Sequence, residues 1–228
     1  MVEITSFVFT RYVNYVESRY VTQFWELRSL FKLLGMGLVS KSNFGRKYHG
    51  PFQKPIVLVG LMGAGKTSIG RKLACRMRVP FVDADQELEK AAGCTITEFF
   101  DKFGEKEFRR GEKRVIARLL KSCPCVLATG GGAFMDLETR AMIKNTAVSV
   151  WLNADVDTLD DRLARRSGRP LLQTKNPRAT LQSLMKKRYP IYAEADMTVD
   201  TINGSIDVTV DKVCESITDY FSLTYERK

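Results

Sequence analysis

Histidine is almost absent from this chain, since His49 is the only one among its 228 residues. Catalysis by a histidine base and zinc binding through histidine ligands are therefore disfavoured. The five cysteines form no C-x-x-C pair, and Cys123-Pro-Cys125 alone is a poor zinc site. An odd number of cysteines without a pairing pattern is typical of a reducing compartment. We therefore expect free thiols and a cytoplasmic location.

Long apolar runs are also missing, and no stretch of about 18 apolar residues occurs that would predict a transmembrane helix. With 44% hydrophobic and 27% charged residues, the chain can bury a substantial core. The net charge of +10 is spread, because residues 1–54 carry eight Lys/Arg and three Asp/Glu and so account for +5. This distribution favours a basic pocket for an acidic small molecule over a nucleic-acid or membrane surface.

Residues 1–54 differ in character from the rest and are predicted to form an extension to a domain over 55–228. They are rich in aromatic residues and end in the polar segment KSNFGRKYHGPFQKP. Three interpretations remain open: an amphipathic helix that docks on the domain or a membrane, a targeting peptide, or a peripheral addition before a natural start at Met36.

The stretch GLMGAGKTSIGRKLA carries the spacing GxxxxGK[ST], with Gly60, Gly65, Lys66 and Thr67 in the four defining places. The apolar run PIVLV before it predicts a strand, and SIGRKLACRM after it predicts a helix, which is the context that a phosphate-binding loop requires. Gly63 and Gly65 allow backbone N–H groups to point at phosphates. Lys66 adds a positive charge, and the Thr67 hydroxyl suits Mg²⁺.

From residue 55 onward, strand-like apolar runs alternate with helical patterns. PIVLV, PFVDAD, CVLATGGG, AVSVWLN and MTVDT are predicted to be strands, and helical segments separate them. The helical stretch over residues 95–122 is expected to break near Gly104. This order predicts an α/β fold, a parallel sheet of about five strands flanked by helices, with ligands at the carboxyl ends of the strands.

Asp83-Ala84-Asp85 is predicted to end the second strand, with both carboxylates on one face of it. One carboxylate could then hold Mg²⁺ through water while the other accepts the proton of a substrate hydroxyl. The simpler interpretation is that Asp85 only caps the following helix.

Two further segments stand out. GEKEFRRGE places Arg109 one turn from Glu112 on a helix, and the default interpretation of such a run is a solvated charged face.

ATGGGA puts three glycines, Gly130 to Gly132, after a buried strand. Three glycines exceed what a tight turn needs, so we expect a close approach to this backbone by a ligand.

Together these segments resemble the shikimate kinase family, a nucleoside-monophosphate-kinase-like branch of the P-loop proteins. The matching pieces are GLMGAGKTSIGRKLA, FVDADQELE, GEKEFRRGE, ATGGGA, RSGRPLL and KKRYPIYAEAD, in family order. The resemblance implies a P-loop fold in three layers with a lid over residues 164–172. This branch lacks an aspartate at the end of the third strand, and ATGGG has none.

The resemblance also assigns roles to residues. Asp85 would activate the attacking hydroxyl, and Asp83 would support Mg²⁺ through water together with Thr67. The implied ATP-binding residues are Gly63, Ala64, Gly65, Lys66, Thr67, Ser68, Arg165 (or Arg166) near the adenine, and Arg169 on the transferring phosphate. The implied shikimate-binding residues are Asp85, Arg109, Gly130, Gly131, Gly132 and Arg188, with the arginines on the carboxylate.

The implied reaction is phosphorylation of the 3-hydroxyl of shikimate by ATP with Mg²⁺, with Lys66, Asp85 and Arg169 as the catalytic residues, in an enzyme expected to be a monomer. Two alternatives remain: a kinase for another small hydroxy acid such as gluconate, and a nucleotide sensor without catalytic activity.

Overall fold

A computed structural model describes residues 54–121, 124–164, 176–202 and 204–225 of the chain. The predicted N-terminal extension, apart from Lys54, lies outside the described residues. The same holds for most of the predicted lid, including Arg165, Arg166 and Arg169.

The strands are β1 (Ile56–Val59), β2 (Phe81–Asp83), β3 (Val126–Ala128), β4 (Val148–Asn153) and β5 (Met197–Asp200). These five parallel strands form one sheet with the order β2-β3-β1-β4-β5. The first strand occupies the centre of the sheet, and all four of its residues are buried. Because both faces of this strand are buried, its sequence is a continuous apolar run rather than an alternation of apolar and polar residues.

Helices connect the strands, as parallel pairing requires. Side-chain caps mark several helix starts: Thr95 and Glu98 form a capping box before the third helix, and Asp136 caps the fourth. A short 3₁₀ turn, Ala133–Met135, follows the glycine triplet. The helices are α1 (Lys66–Met77), α2 (Ala84–Ala92), α3 (Ile96–Leu120), α4 (Leu137–Thr146), α5 (Val156–Ala164), α6 (Pro177–Tyr192) and α7 (Ile206–Tyr225).

The predicted α/β class is confirmed, with a strand in each of the five predicted segments. The break expected in the long helical stretch is also present, because Gly104 interrupts α3 with φ 76° and ψ 174°. No helix among the described residues has both the length and the apolar character needed to cross a membrane.

The prediction for Asp83-Ala84-Asp85 is wrong in one respect. Strand β2 ends at Asp83 and α2 begins at Ala84, so the two carboxylates do not share a strand face. Asp83 is the N-cap of α2, and its side chain accepts a hydrogen bond from the Asp85 backbone N–H. The suggestion that Asp85 is the cap is therefore wrong as well, because the cap lies two residues earlier.

Candidate active site

The loop between β1 and α1 lies at the carboxyl end of the central strand. Gly60, Gly63 and Gly65 have φ values of 137°, 84° and 95°, a backbone conformation that side chains disfavour. Gly65 is the N-cap of α1 and, as a glycine, has no side chain to accept hydrogen bonds from the first turn of the helix. Ser68 lies in this turn. The N–H groups at this helix start are not capped by a side chain, which is the arrangement that binds phosphate.

Lys66 folds back over this loop. Its Nζ donates hydrogen bonds to the carbonyl oxygens of Gly60 at 2.8 Å and Leu61 at 2.9 Å. The ammonium group is thus kept inside the loop by backbone acceptors. A phosphate oxygen entering the loop would compete with these carbonyls for the same three donors.

Thr67 and Asp83 meet at the ends of two different elements. The Thr67 hydroxyl, in the first turn of α1, donates a hydrogen bond to Asp83 Oδ2 at 3.0 Å. The structure therefore brings together the two residues predicted to hold a metal. No group of three His, Cys, Asp or Glu side chains suited to a metal ion occurs among the described residues. One hydroxyl and one carboxylate would nevertheless fit Mg²⁺, which keeps several waters and binds phosphate oxygens.

Asp85 reaches the glycine triplet that follows β3. A Cβ atom added to Gly130 would lie 2.9 Å from Asp85 Oδ1 and 2.5 Å from Glu112 Oε1. Only glycine leaves room for these two carboxylates. Side chains of the chain itself therefore approach this backbone closely, whereas the predicted contact with a ligand stays a prediction.

Arg109 lies over the third glycine of the triplet. A Cβ atom on Gly132 would come within 2.4 to 2.5 Å of three atoms of its guanidinium group. Arg109 Nη1 also donates a hydrogen bond to Glu112 Oε2 at 2.7 Å. Backbone on one side and a carboxylate on the other therefore fix the guanidinium plane.

Glu112 is the buried member of this pair, with 5% of its side chain exposed. Burial raises the pKa of the Glu112 carboxyl, and the neighbouring Arg109 acts in the opposite direction. Its Oε1 atom is buried and has no hydrogen-bond partner among the described residues. The interpretation of GEKEFRRGE as a solvated face therefore fits the exposed pair Arg110 and Glu107, but it is wrong for Glu112.

Arg188, on α6, contacts the middle glycine. Its Nη1 donates a hydrogen bond to the carbonyl oxygen of Gly131 at 3.0 Å, and the Tyr192 hydroxyl donates to the same oxygen. Burial raises the pKa of the Tyr192 phenol, although the adjacent Arg188 lowers it in part. The two predicted carboxylate-binding arginines, from α3 and α6, thus reach adjacent residues of one loop.

Arg162 was not singled out by the sequence analysis. Its guanidinium donates to the carbonyl oxygens of Gly63 and Ala64, both at 3.4 Å, and to that of Ile202 at 2.8 Å. It therefore links the phosphate-binding loop to the segment after β5. No pattern in the sequence distinguishes Arg162 from other helix-end arginines, because the contact joins residues far apart in the chain.

The family model described as shikimate kinase matches residues 62–218. The chain belongs to the shikimate kinase family. Among curated relatives, the shikimate kinase of Bradyrhizobium diazoefficiens is 56% identical to it, over 71% of this chain and 76% of that protein. The family match begins at residue 62 and so does not reach the predicted extension.

Solved shikimate kinases share the fold. The enzyme from Acinetobacter baumannii, solved in complex with shikimate, superposes with a TM-score of 0.71 and is 39% identical, covering 74% of this chain and 95% of that one. A gluconokinase from Sinorhizobium meliloti superposes with a TM-score of 0.56 at 18% identity, covering 78% of this chain and 98% of that one. The second similarity shows a common fold only.

Proposed function

We propose that this chain transfers the γ-phosphoryl group of ATP to the 3-hydroxyl of shikimate, giving ADP and 3-phosphoshikimate. Membership of the shikimate kinase family supports this reaction. The observation that carries it is the convergence of Asp85, Arg109 and Arg188 on the glycine triplet, whose Gly131 lies next to the phosphate-binding loop. That arrangement offers a carboxylate for a hydroxyl and two guanidinium groups for a substrate carboxylate.

On the nucleotide side, residues Gly63 to Ser68 would surround the ATP phosphates. Lys66 would exchange its hydrogen bonds to Gly60 and Leu61 for phosphate oxygens, while Arg165 and Arg169 of the lid are proposed to meet the nucleotide. Thr67 and Asp83 would hold Mg²⁺, Asp83 through water. When bound, the ion offsets negative charge on the phosphate oxygens.

On the acceptor side, Arg109 and Arg188 would bind the carboxylate of shikimate. Guanidinium groups form paired, charge-assisted hydrogen bonds with carboxylates, which fixes the orientation of the ring as well as binding it. The backbone of Gly130 to Gly132 would line the same pocket.

Asp85 would accept the proton of the attacking hydroxyl as the bond to phosphorus forms. Most of the catalysis would come from positioning the two substrates and from neutralising charge, as in other phosphoryl transfers. Closure of Arg169 over the phosphoryl group would exclude water and so limit hydrolysis of ATP.

The deciding experiment measures ADP release from Mg-ATP by the purified full chain with shikimate, gluconate, quinate or no acceptor. We expect strong stimulation by shikimate alone. Stimulation by gluconate instead would overturn the proposal and would indicate a gluconate kinase. ATP binding without stimulation by any acceptor would favour a nucleotide sensor.

Replacing Gly132 with alanine should raise the KM for shikimate about tenfold while leaving the KM for ATP unchanged. The φ of Gly132 is −99°, which alanine adopts freely, and the three atoms nearest to the added methyl group all belong to the Arg109 guanidinium. Displacing that guanidinium would weaken a charge-assisted hydrogen bond worth about 1.5 kcal/mol, or about a factor of ten. Steady-state kinetics with each substrate varied in turn provide the measurement.

Gly111→Ala is the matched control for this variant. Gly111 is also buried near the site, but a methyl group there would meet only Leu88 Cδ1 at 3.6 Å, an ordinary contact. This variant should keep the KM for shikimate, and its helix should gain about 0.5–1 kcal/mol in stability. Equal kinetics for the two variants would contradict the role proposed for the Gly132 and Arg109 contact.

We also propose that the enzyme acts as a monomer in the cytoplasm. The four cysteines that the structure describes are free thiols, which suits a reducing compartment: Cys75, Cys94, Cys125 and Cys214. A sedimentation mass well above the 25.9 kDa of one chain would contradict the monomer.

A further inference from the structure

The carbonyl oxygen of Gly131 accepts two hydrogen bonds from side chains of one helix. Arg188 Nη1 donates to it at 3.0 Å, and the Tyr192 hydroxyl donates to it as well. A carbonyl oxygen has two lone pairs, so these two donors use its full capacity. The neighbouring carbonyls differ, because those of Gly130 and Gly132 accept from backbone N–H groups of the following turn.

Fixing this carbonyl fixes the whole peptide between Gly131 and Gly132. The peptide unit is planar, so the Gly132 N–H must point opposite to the Gly131 oxygen. Glycine backbone has unusual conformational freedom, and here no side chain of its own restrains it. The orientation of this peptide therefore depends on the donors from α6.

Both proposed carboxylate-binding arginines contact that peptide. Arg188 is hydrogen-bonded to its oxygen, and Arg109 lies directly over Gly132. Rotation of the peptide would therefore displace a group that each guanidinium contacts. If a substrate carboxylate drew Arg188 toward itself, the Tyr192 hydroxyl would remain as a donor to the Gly131 oxygen.

Tyr192 is well placed to hold the peptide still. The residue is 0% exposed, and its ring packs near Phe134, Trp151 and Tyr189, with centroid distances of 6.5, 6.1 and 6.2 Å. These neighbours restrict the motion of the ring, and water does not compete for the hydroxyl. A buried phenol hydroxyl needs a hydrogen-bond acceptor, and the acceptor here is the Gly131 carbonyl oxygen of the glycine triplet.

We propose that Tyr192 is a positioning residue for the acceptor substrate: its hydroxyl fixes the Gly131–Gly132 peptide so that Arg109 and Arg188 meet the substrate carboxylate in a preformed geometry. This inference rests on the proposed function. Preformed donors avoid the cost of ordering the site during binding. Tyr192 touches neither substrate in this proposal and acts only through the loop.

The ordinary explanation is that Tyr192 is a core residue that satisfies its hydroxyl wherever it can. Tyr189 allows the two explanations to be separated. It lies one turn away on the same helix, is partly buried, packs on Trp151 with ring centroids 5.0 Å apart, and donates its hydroxyl to the backbone carbonyl of Ala154. Ala154 lies outside the glycine triplet, so Tyr189 has the same chemistry without the proposed role.

The experiment compares Tyr192→Phe with Tyr189→Phe in the full chain. Each change removes one hydroxyl group and keeps the ring. KM values for shikimate and ATP, kcat and thermal unfolding are measured for both variants and the unchanged enzyme. We expect Tyr192→Phe to raise the KM for shikimate about fivefold or more, with the KM for ATP unchanged, because the lost hydrogen bond preforms only the acceptor site.

Tyr189→Phe should lower the unfolding temperature to a similar extent but keep the KM for shikimate. An unchanged KM for shikimate in Tyr192→Phe, or an equal rise in Tyr189→Phe, would overturn the inference. If the unchanged enzyme shows no shikimate-dependent ADP release, the proposed function itself fails, and this result is distinct from either variant outcome.

Discussion

Replacing Asp85 with asparagine should lower kcat by about two to four orders of magnitude, because an amide cannot accept the proton of the attacking hydroxyl. Asparagine keeps the size of the side chain that fits beside Gly130. Shikimate should therefore still bind, and the loss should appear mainly in kcat. The measurement is ADP release at saturating Mg-ATP and shikimate.

Glu87→Gln provides the control for this variant. Glu87 is another carboxylate of α2, but it pairs with Lys90 and Arg118 rather than with the proposed site. Glutamine keeps the size of this side chain, so kcat should stay within about twofold. A kcat for Asp85→Asn close to that of the unchanged enzyme would remove Asp85 from the proposed chemistry.

Replacing Arg109 with alanine should raise the KM for shikimate about a hundredfold. The substrate carboxylate would lose charge-assisted hydrogen bonds worth up to about 3 kcal/mol. The change also leaves Glu112 buried without its cation, and so it should lower the unfolding temperature too. Steady-state kinetics and a thermal unfolding curve measure the two effects separately.

The neighbouring Arg110→Ala is the matched control for Arg109→Ala. The Arg110 side chain is 64% exposed and pairs only loosely with Glu107, at 3.7 Å. Surface ion pairs of this kind contribute little, so both the KM and the unfolding temperature should stay near their original values. If Arg109→Ala behaved like Arg110→Ala, the carboxylate would have to bind elsewhere.

Much of the fold could be predicted because its signals are local. The apolar run of β1, the GxxxxGK[ST] spacing and the glycine in α3 each act through neighbouring residues. The boundary between β2 and α2 was not predictable in this way. Alternating carboxylates at Asp83 and Asp85 suit a strand and a helix cap equally well, and only the backbone shows that Asp83 is the cap.

Only part of the site was predictable, because several of its residues are distinguished only by tertiary contacts. Resemblance to a family pointed to Arg109 and Arg188, and the structure brings both to the glycine triplet. Arg162, Glu112 and Tyr192 have no local signal. A helix-end arginine, a glutamate in a charged run and a tyrosine on a helix all have ordinary structural explanations, and only tertiary contacts distinguish these three.

The order of the strands in the sheet has a consequence for synthesis of the chain. Ile56 in β1 pairs with Val126 on one side and with Val148 on the other, so both neighbours of the central strand are translated long after it. The phosphate-binding loop follows β1 directly, so it is translated before either of the strands that flank β1. We therefore expect nascent chains that stop before residue 148 to fail to retain nucleotide. Folding of this domain should be slow, because its central strand pairs with strands that lie far away in the sequence.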